Sequence, residues 1–193
     1  VLLTVDEEQG LIGANGLEPG MITGKILLNL DSEEHGQLVI GCAGSQATLC
    51  HFPYTTADAP SDYKYYSATI KGLKGGHSGM EIHLGRANAN QQLARFLWES
   101  QKQFGLALSD FAGGGLPNAI PREATAVFGV LADKAAELEA YAAQFSDTIH
   151  SEFRLAENED FTFTLVPAES PANVISEPEA YALIATLFAT PNG

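Results

Sequence analysis

The sequence predicts an α/β (α+β) chain whose centre is a ferredoxin-like βαββαβ unit, and three observations carry that prediction. Between residues 63 and 167 the hydrophobic period switches in the order strand, helix, strand, strand, helix, strand, which is the split βαβ pattern. Two segments in that span are long amphipathic helices. Upstream, within residues 1–40, short continuous apolar runs end in turn residues, as strands buried on both faces do.

Each element has its own warrant. Val1–Val5 and Ile26–Leu30 are unbroken apolar runs, and Gln37–Cys42, "QLVIGC", is a third strand candidate closed by Gly44. Gly10, Gly13, Gly16 and Pro19-Gly20 punctuate the interval, where a short helix fits Leu11–Gly16. "YKYYSATIKGL" (63–73) alternates polar and apolar, so it reads as a half-buried strand. "GGHSGM" (75–80) is a glycine-rich loop. Residues 87–104 place Leu93, Phe96 and Leu97 on one side at helical spacing, with Trp98 flanking them. Residues 106–113 and 122–131 are strands around the turn "GGGLPNAIP". Residues 133–153 form an Ala- and Glu-rich helix with Asp133 as its cap. Residues 160–167 are a strand stopped by Pro167, and residues 176–189 a helix capped by Ser176 with Pro178 in its first turn. The natural product is an antiparallel four-stranded sheet with both long helices on one face.

Composition narrows the functional classes. The 193 residues are 45% apolar, enough for a substantial core, and 24 acidic against 10 basic residues give a net charge of −14. That balance, with no cluster of Lys and Arg, argues against a nucleic-acid partner. No apolar run approaches the ~20 residues of a membrane helix. The two cysteines, Cys42 and Cys50, have no metal or redox spacing and read as buried free thiols in a reducing, cytoplasmic compartment.

Chemistry concentrates in a few short stretches. "TVDEEQG" and "NLDSEEHG" each end an apolar run in carboxylates: Asp6, Glu7 and Glu8 in the first, Asp31 in the second. Like charges crowded at strand ends are unfavourable unless a cation offsets them, and zinc, manganese or magnesium accept such oxygen ligands. Solvated acidic loops would look the same. In "GLKGGHSGMEIH" the glycines would let the backbone at His77 approach a ligand closely, although a tight turn with an exposed histidine fits too. In "LPNAIPREA" two prolines stiffen the turn that holds Asn118, and Arg122 begins the next strand. There an Asn and an Arg could bind a peptide carbonyl and, bidentately, a carboxylate, although a stiff hairpin with an ordinary surface Arg fits too.

Taken together and in this order, "TVDEEQGLIGANGL", "LLNLDSEEHG", "LKGGHSGMEIHLGRANAN" and "NAIPREA" make the chain resemble the Xaa-His (aminoacyl-histidine) dipeptidases. These belong to the two-zinc metallopeptidases that also include aminoacylases and glutamate carboxypeptidases. The resemblance implies a catalytic α/β sheet edge over residues 1–44, followed by part of a ferredoxin-like lid and dimerisation domain over 45–193. It implies that Glu7 is the general base, Glu8 a ligand of one zinc and Asp31 a ligand of the other. It implies that His77 is a lid histidine that reaches a substrate oxygen, often across a dimer, with Asn118 contacting substrate and Arg122 holding the dipeptide carboxylate. Two Zn2+ per active site, a dipeptide substrate and a homodimer formed through the lid follow from the same resemblance. The family's upstream His-x-Asp, bridging Asp and final histidine ligand have no counterpart here, since no His-x-Asp occurs and His35, His51 and His150 lie in other contexts. The expectation is therefore an internal piece of such an enzyme, inactive by itself. The alternative is a ferredoxin-like binding or dimerisation module without catalysis, in which the acidic residues are solvated and His77 is a turn residue.

Overall fold

The computed structural model describes residues 1–7, 10–30, 35–41, 44 and 46–192. It divides into two units, Val1–His51 and Phe52–Gly193. In the first, the described residues form one short helix, α1 (Ile12–Asn15), and no strand. The strands expected at Val1–Val5 and Ile26–Leu30, and at residues 37–41 of the third run, are not formed, and Leu3, Ile26, Leu27, Leu28, Leu38 and Ile40 stand exposed. The physical reason is that a run apolar on both sides gains nothing from an extended backbone without neighbouring strands to bond and helices to cover it. Cys50 is likewise exposed rather than buried.

The second unit holds everything else. Its strands are β1 (Thr56–Asp58), β2 (Tyr63–Lys71), β3 (Ala107–Gly113), β4 (Ala124–Leu131), β5 (Thr162–Pro167) and β6 (Asn173–Ile175). Its helices are α2 (Ala89–Phe104), α3 (Ala135–Phe153) and α4 (Glu177–Ala189). The larger sheet is antiparallel in the order β3-β4-β2-β5. With β2, β3, β4 and β5 as the four strands of the βαββαβ repeat, this is the ferredoxin-like arrangement read from the sequence. A register shift between Leu108 and Asp110 puts a bulge in the outer strand β3.

The core follows from period-two alternation. Tyr66, Ala68 and Ile70 of β2 face the helices together with Ala124, Ala126, Phe128 and Val130 of β4 and Phe163 of β5. Register pairs Tyr66 with Phe128, Ala68 with Ala126 and Ile70 with both Ala124 and Phe163, so small and large residues alternate across the layer. The opposite face carries Ser67, Thr69, Thr125 and Thr164, and the Thr69 and Thr125 hydroxyls meet at 3.2 Å.

α2 offers Leu93, Phe96 and Leu97 to this core, and α3 offers Leu138, Ala142, Phe145 and Ile149. Phe96 is the hub: its ring lies 4.8 Å from Phe163, 5.2 Å from Phe145, 5.6 Å from Tyr141 and 6.2 Å from Phe128. α2 begins at Ala89, two residues later than its apolar pattern suggests, because Asn88 accepts the Gln91 N–H as a side-chain cap. At α3 the expected Asp133 cap is replaced: Ala132–Lys134 form a 3-10 turn and the α-helix starts after Lys134 without a side-chain cap. Asp133 then sits at the positive end of the helix dipole.

One pairing escaped the periodicity, and the helix expected at residues 176–189 forms as α4. β1 and β6 pair into a separate two-stranded sheet, too short for alternation to show. α4 packs on α2 through Trp98, which stacks on Phe188 at 5.7 Å and tilts against Tyr181 at 5.3 Å. No helix among the described residues is long and apolar enough to cross a membrane.

Candidate functional site

β2 ends at Lys71, and the chain stays in the core as far as the buried Leu73 before it has to turn. Gly75 (φ +65°) and Gly76 (φ +140°) make that turn, in a region that residues with a side chain avoid. Space excludes a side chain as well. A Cβ on Gly75 would lie 2.4 Å from Arg122 Cγ, and one on Gly76 2.5 Å from Arg86 Nη1.

His77 follows, exposed, at the tip. Its Nδ1 accepts two backbone N–H groups, from Gly79 and Met80, each at 3.1 Å. A nitrogen that accepts carries no hydrogen, so the ring proton resides on Nε2, which is left as a donor. The backbone of His77 is held as firmly. Its N–H donates to Glu81 Oε2 at 2.9 Å, and its carbonyl accepts the Glu81 N–H at 2.9 Å. Arg86 closes the brace, donating to the Gly75 carbonyl at 2.6 Å and to Glu81 Oε1 at 2.8 Å. The His77 N–H, seconded by the Arg86 guanidinium, holds the Glu81 carboxyl below its ordinary value.

The turn after β3 lies alongside. The Ser78 N–H donates to the Asn118 carbonyl at 2.8 Å, the Ile120 N–H donates to the Gly76 carbonyl at 2.8 Å, and His77 and Ala119 form an antiparallel bridge. His77 thus lies beside the turn that holds Asn118. Arg122, one position past Pro121, donates from Nε to the Leu73 carbonyl at 2.9 Å and lies over Gly75. Gly76, Leu116, Ala119, Ile120, Arg122 and Glu123 line a shallow pocket of about 320 Å³ beside this loop. The arrangement puts the Arg122 guanidinium in the wall of this depression, with Gly76, the residue before His77, also lining it.

The carboxylates of the first unit are a separate matter. Glu7 is exposed, and its carbonyl accepts the Gly10 and Leu11 N–H groups at 3.1 and 2.9 Å. Glu8 and Asp31 lie outside the described residues. Among the described residues no three His, Cys, Asp or Glu side chains gather as a metal ion would need.

Sequence reasoning singled out His77, Asn118 and Arg122 but missed what braces them. Glu81 and Arg86 were legible in principle, because both stand within the same "GGHSGMEIHLGR" stretch. Glu157 also reaches this loop, and nothing local in the sequence ties it there.

Comparison with known proteins gives the frame. Residues 68–157 match the peptidase dimerisation domain. The whole chain is 42% identical to the cytosol non-specific dipeptidase of Escherichia coli (strain K12), covering 40% of that protein. Its structure superposes on the aminoacylhistidine dipeptidase of Vibrio alginolyticus with a TM-score of 0.73 and 39% identity, over 98% of this chain and 39% of the other. The chain therefore spans about two fifths of the length of either relative. Residues 68–157 thus resemble the dimerisation domain of M20 peptidases, in a chain similar over its length to two dipeptidases.

Proposed function

We propose that this chain is the lid and dimerisation portion of a cytoplasmic dipeptidase acting on Xaa-His dipeptides, together with one edge of its metal-binding domain in residues 1–44. The relatives' activities and the matched dimerisation domain support the reading. The observation that carries it is the double N–H clamp on His77 Nδ1, which leaves Nε2–H as a fixed donor.

Hydrolysis of a peptide bond builds negative charge on the carbonyl oxygen, and a pre-aimed donor is worth most where that charge develops. His77 Nε2–H donates to that oxygen, and its orientation costs nothing at the moment of reaction because the backbone has already set the ring. Arg122 presents its remaining N–H groups to the dipeptide's terminal carboxylate, and Asn118 contacts the substrate backbone. Glu7 accepts the proton of the attacking water and returns it to the leaving amine.

Glu8 and Asp31 are this chain's contribution to metal binding. Two carboxylates fall short of the ligand set that holds zinc tightly, so the chain alone does not form the centre. Zinc, when bound in the complete enzyme, polarises the carbonyl and lowers the pKa of bound water. The dimer brings a second lid to the assembly.

The test uses the longer protein that carries this chain. His77→Ala is expected to lower kcat on Xaa-His dipeptides by about a hundredfold to a thousandfold while KM changes little. A variant with unaltered kcat would overturn the assignment.

A further inference from the structure

One carboxylate clasps both ends of the loop that carries His77. Glu157 is 6% exposed, and no Lys, Arg or His side chain is among its partners in the described contacts. Its Oε2 accepts the Lys74 N–H at 2.7 Å, and its Oε1 accepts the Ala87 N–H at 2.9 Å. Residues 75–86, which include His77 and the whole Glu81–Arg86 brace, lie between those two amides.

The clasp is anchored from outside the loop. α3 ends at Phe153, and the Phe153 carbonyl accepts the Ala156 and Glu157 N–H groups, both at 2.9 Å, so the turn that presents Glu157 is an extension of α3. Lys74 adds a second tie, Nζ to the Ala156 carbonyl at 2.9 Å. Position on α3 thereby becomes position of the loop stem, and the stem sets where the imidazole stands.

We infer that Glu157 is a positioning residue for His77: a buried carboxylate that fixes the stem of the catalytic loop by taking the Lys74 and Ala87 amides on its two oxygens. The inference rests on the role proposed above for His77. An acidic side chain suits the task because each of its oxygens accepts and neither donates. A glutamine would set an NH2 group against one of the two amides, and an alanine would leave both amides without an acceptor in a buried setting.

A double-mutant cycle in the full-length protein tests this, with Glu157→Gln, His77→Ala and the pair. Glu157→Gln is expected to lower kcat about tenfold to a hundredfold, as a slightly misplaced group does, with KM nearly unchanged. In the His77→Ala background it should have no further effect on kcat. Independent, multiplying losses would overturn the inference, as would wild-type kcat in Glu157→Gln. An unaffected His77→Ala enzyme would instead sink the functional reading. Amide hydrogen exchange on the same proteins then decides the clasp by itself. Faster exchange in Glu157→Gln confined to residues 74–87 supports it, and unchanged protection there overturns it. If Glu157→Gln fails to fold, Glu157→Asp serves in its place, since it keeps the charge and reaches only one of the two amides.

Discussion

At the residue scale, three carboxylates in this protein hold backbone amides. Glu81 holds the His77 N–H, Glu157 holds Lys74 and Ala87, and Glu179 takes the Thr55 N–H at 2.7 Å and the Thr55 hydroxyl at 2.9 Å while accepting a short bond from the Ser176 hydroxyl. A neutral acceptor would serve each of these geometries less well, because charge-assisted hydrogen bonds are about twice as strong. The Ser176 hydroxyl first, then the Thr55 N–H and hydroxyl, hold the Glu179 carboxyl below its ordinary value of 4.5. A depressed folded-state pKa contributes stability that is present in full above the unfolded value and is lost as pH falls through the folded one. Wild type should therefore unfold at a higher temperature than Glu179→Gln near neutral pH, and the gap should close as pH drops below about 4.5. Thermal unfolding at a series of pH values checks this, and a gap that stays constant to low pH would count against it. His77 itself was legible in the sequence, because glycines on either side of a histidine mark a loop. Of its braces, Glu81 and Arg86 stand in the same stretch, whereas Glu157 was not legible, since a carboxylate that serves only backbone amides leaves no partner residue to read.

At the scale of elements, the aromatic cluster around Phe96 ties α2 to α3 and to β4 and β5. Replacing Phe96 with alanine should cost about 3–5 kcal/mol, because the ring is fully buried and its neighbours belong to three different strands and helices that cannot all collapse inward. Denaturant unfolding would show the loss as a lowered midpoint, and a shift of under about 1 kcal/mol would mean that the core repacks. The βαββαβ order, both long helices and the sheet faces were readable because every one of these elements runs long enough to repeat its period. β1 and β6 were not, at three residues each. The apolar runs before residue 44 misled for a different reason. Composition reports that a segment wants burial, whereas a strand exists only where a neighbour accepts its hydrogen bonds. Ile26–Leu30 shows the wish without the neighbour.

At the scale of the molecule, the matched dimerisation domain and the acidic balance bear on how the chain behaves alone. A sheet whose edges are β3 and β5 offers unpaired backbone at each side, and such edges associate unless blocked. The 193-residue chain is expected to sediment as a dimer, and the same sample supplied with zinc should leave carnosine intact. A monomer across the micromolar range would oppose the dimer, and carnosine cleavage would oppose the division of labour between this chain and the rest of an enzyme.

The place of β2 in the sheet has a consequence for biogenesis. β2 is bonded to β4 on one side and to β5 on the other, and β5 is the last strand of the repeat to be synthesised. Until residue 167 has left the ribosome, β2 is an edge, and Phe96 and Phe145 lack the Phe163 ring that covers them. The nascent domain therefore waits, open along β2, for a pairing about a hundred residues away along the chain, the kind of contact that slows folding and invites chaperones.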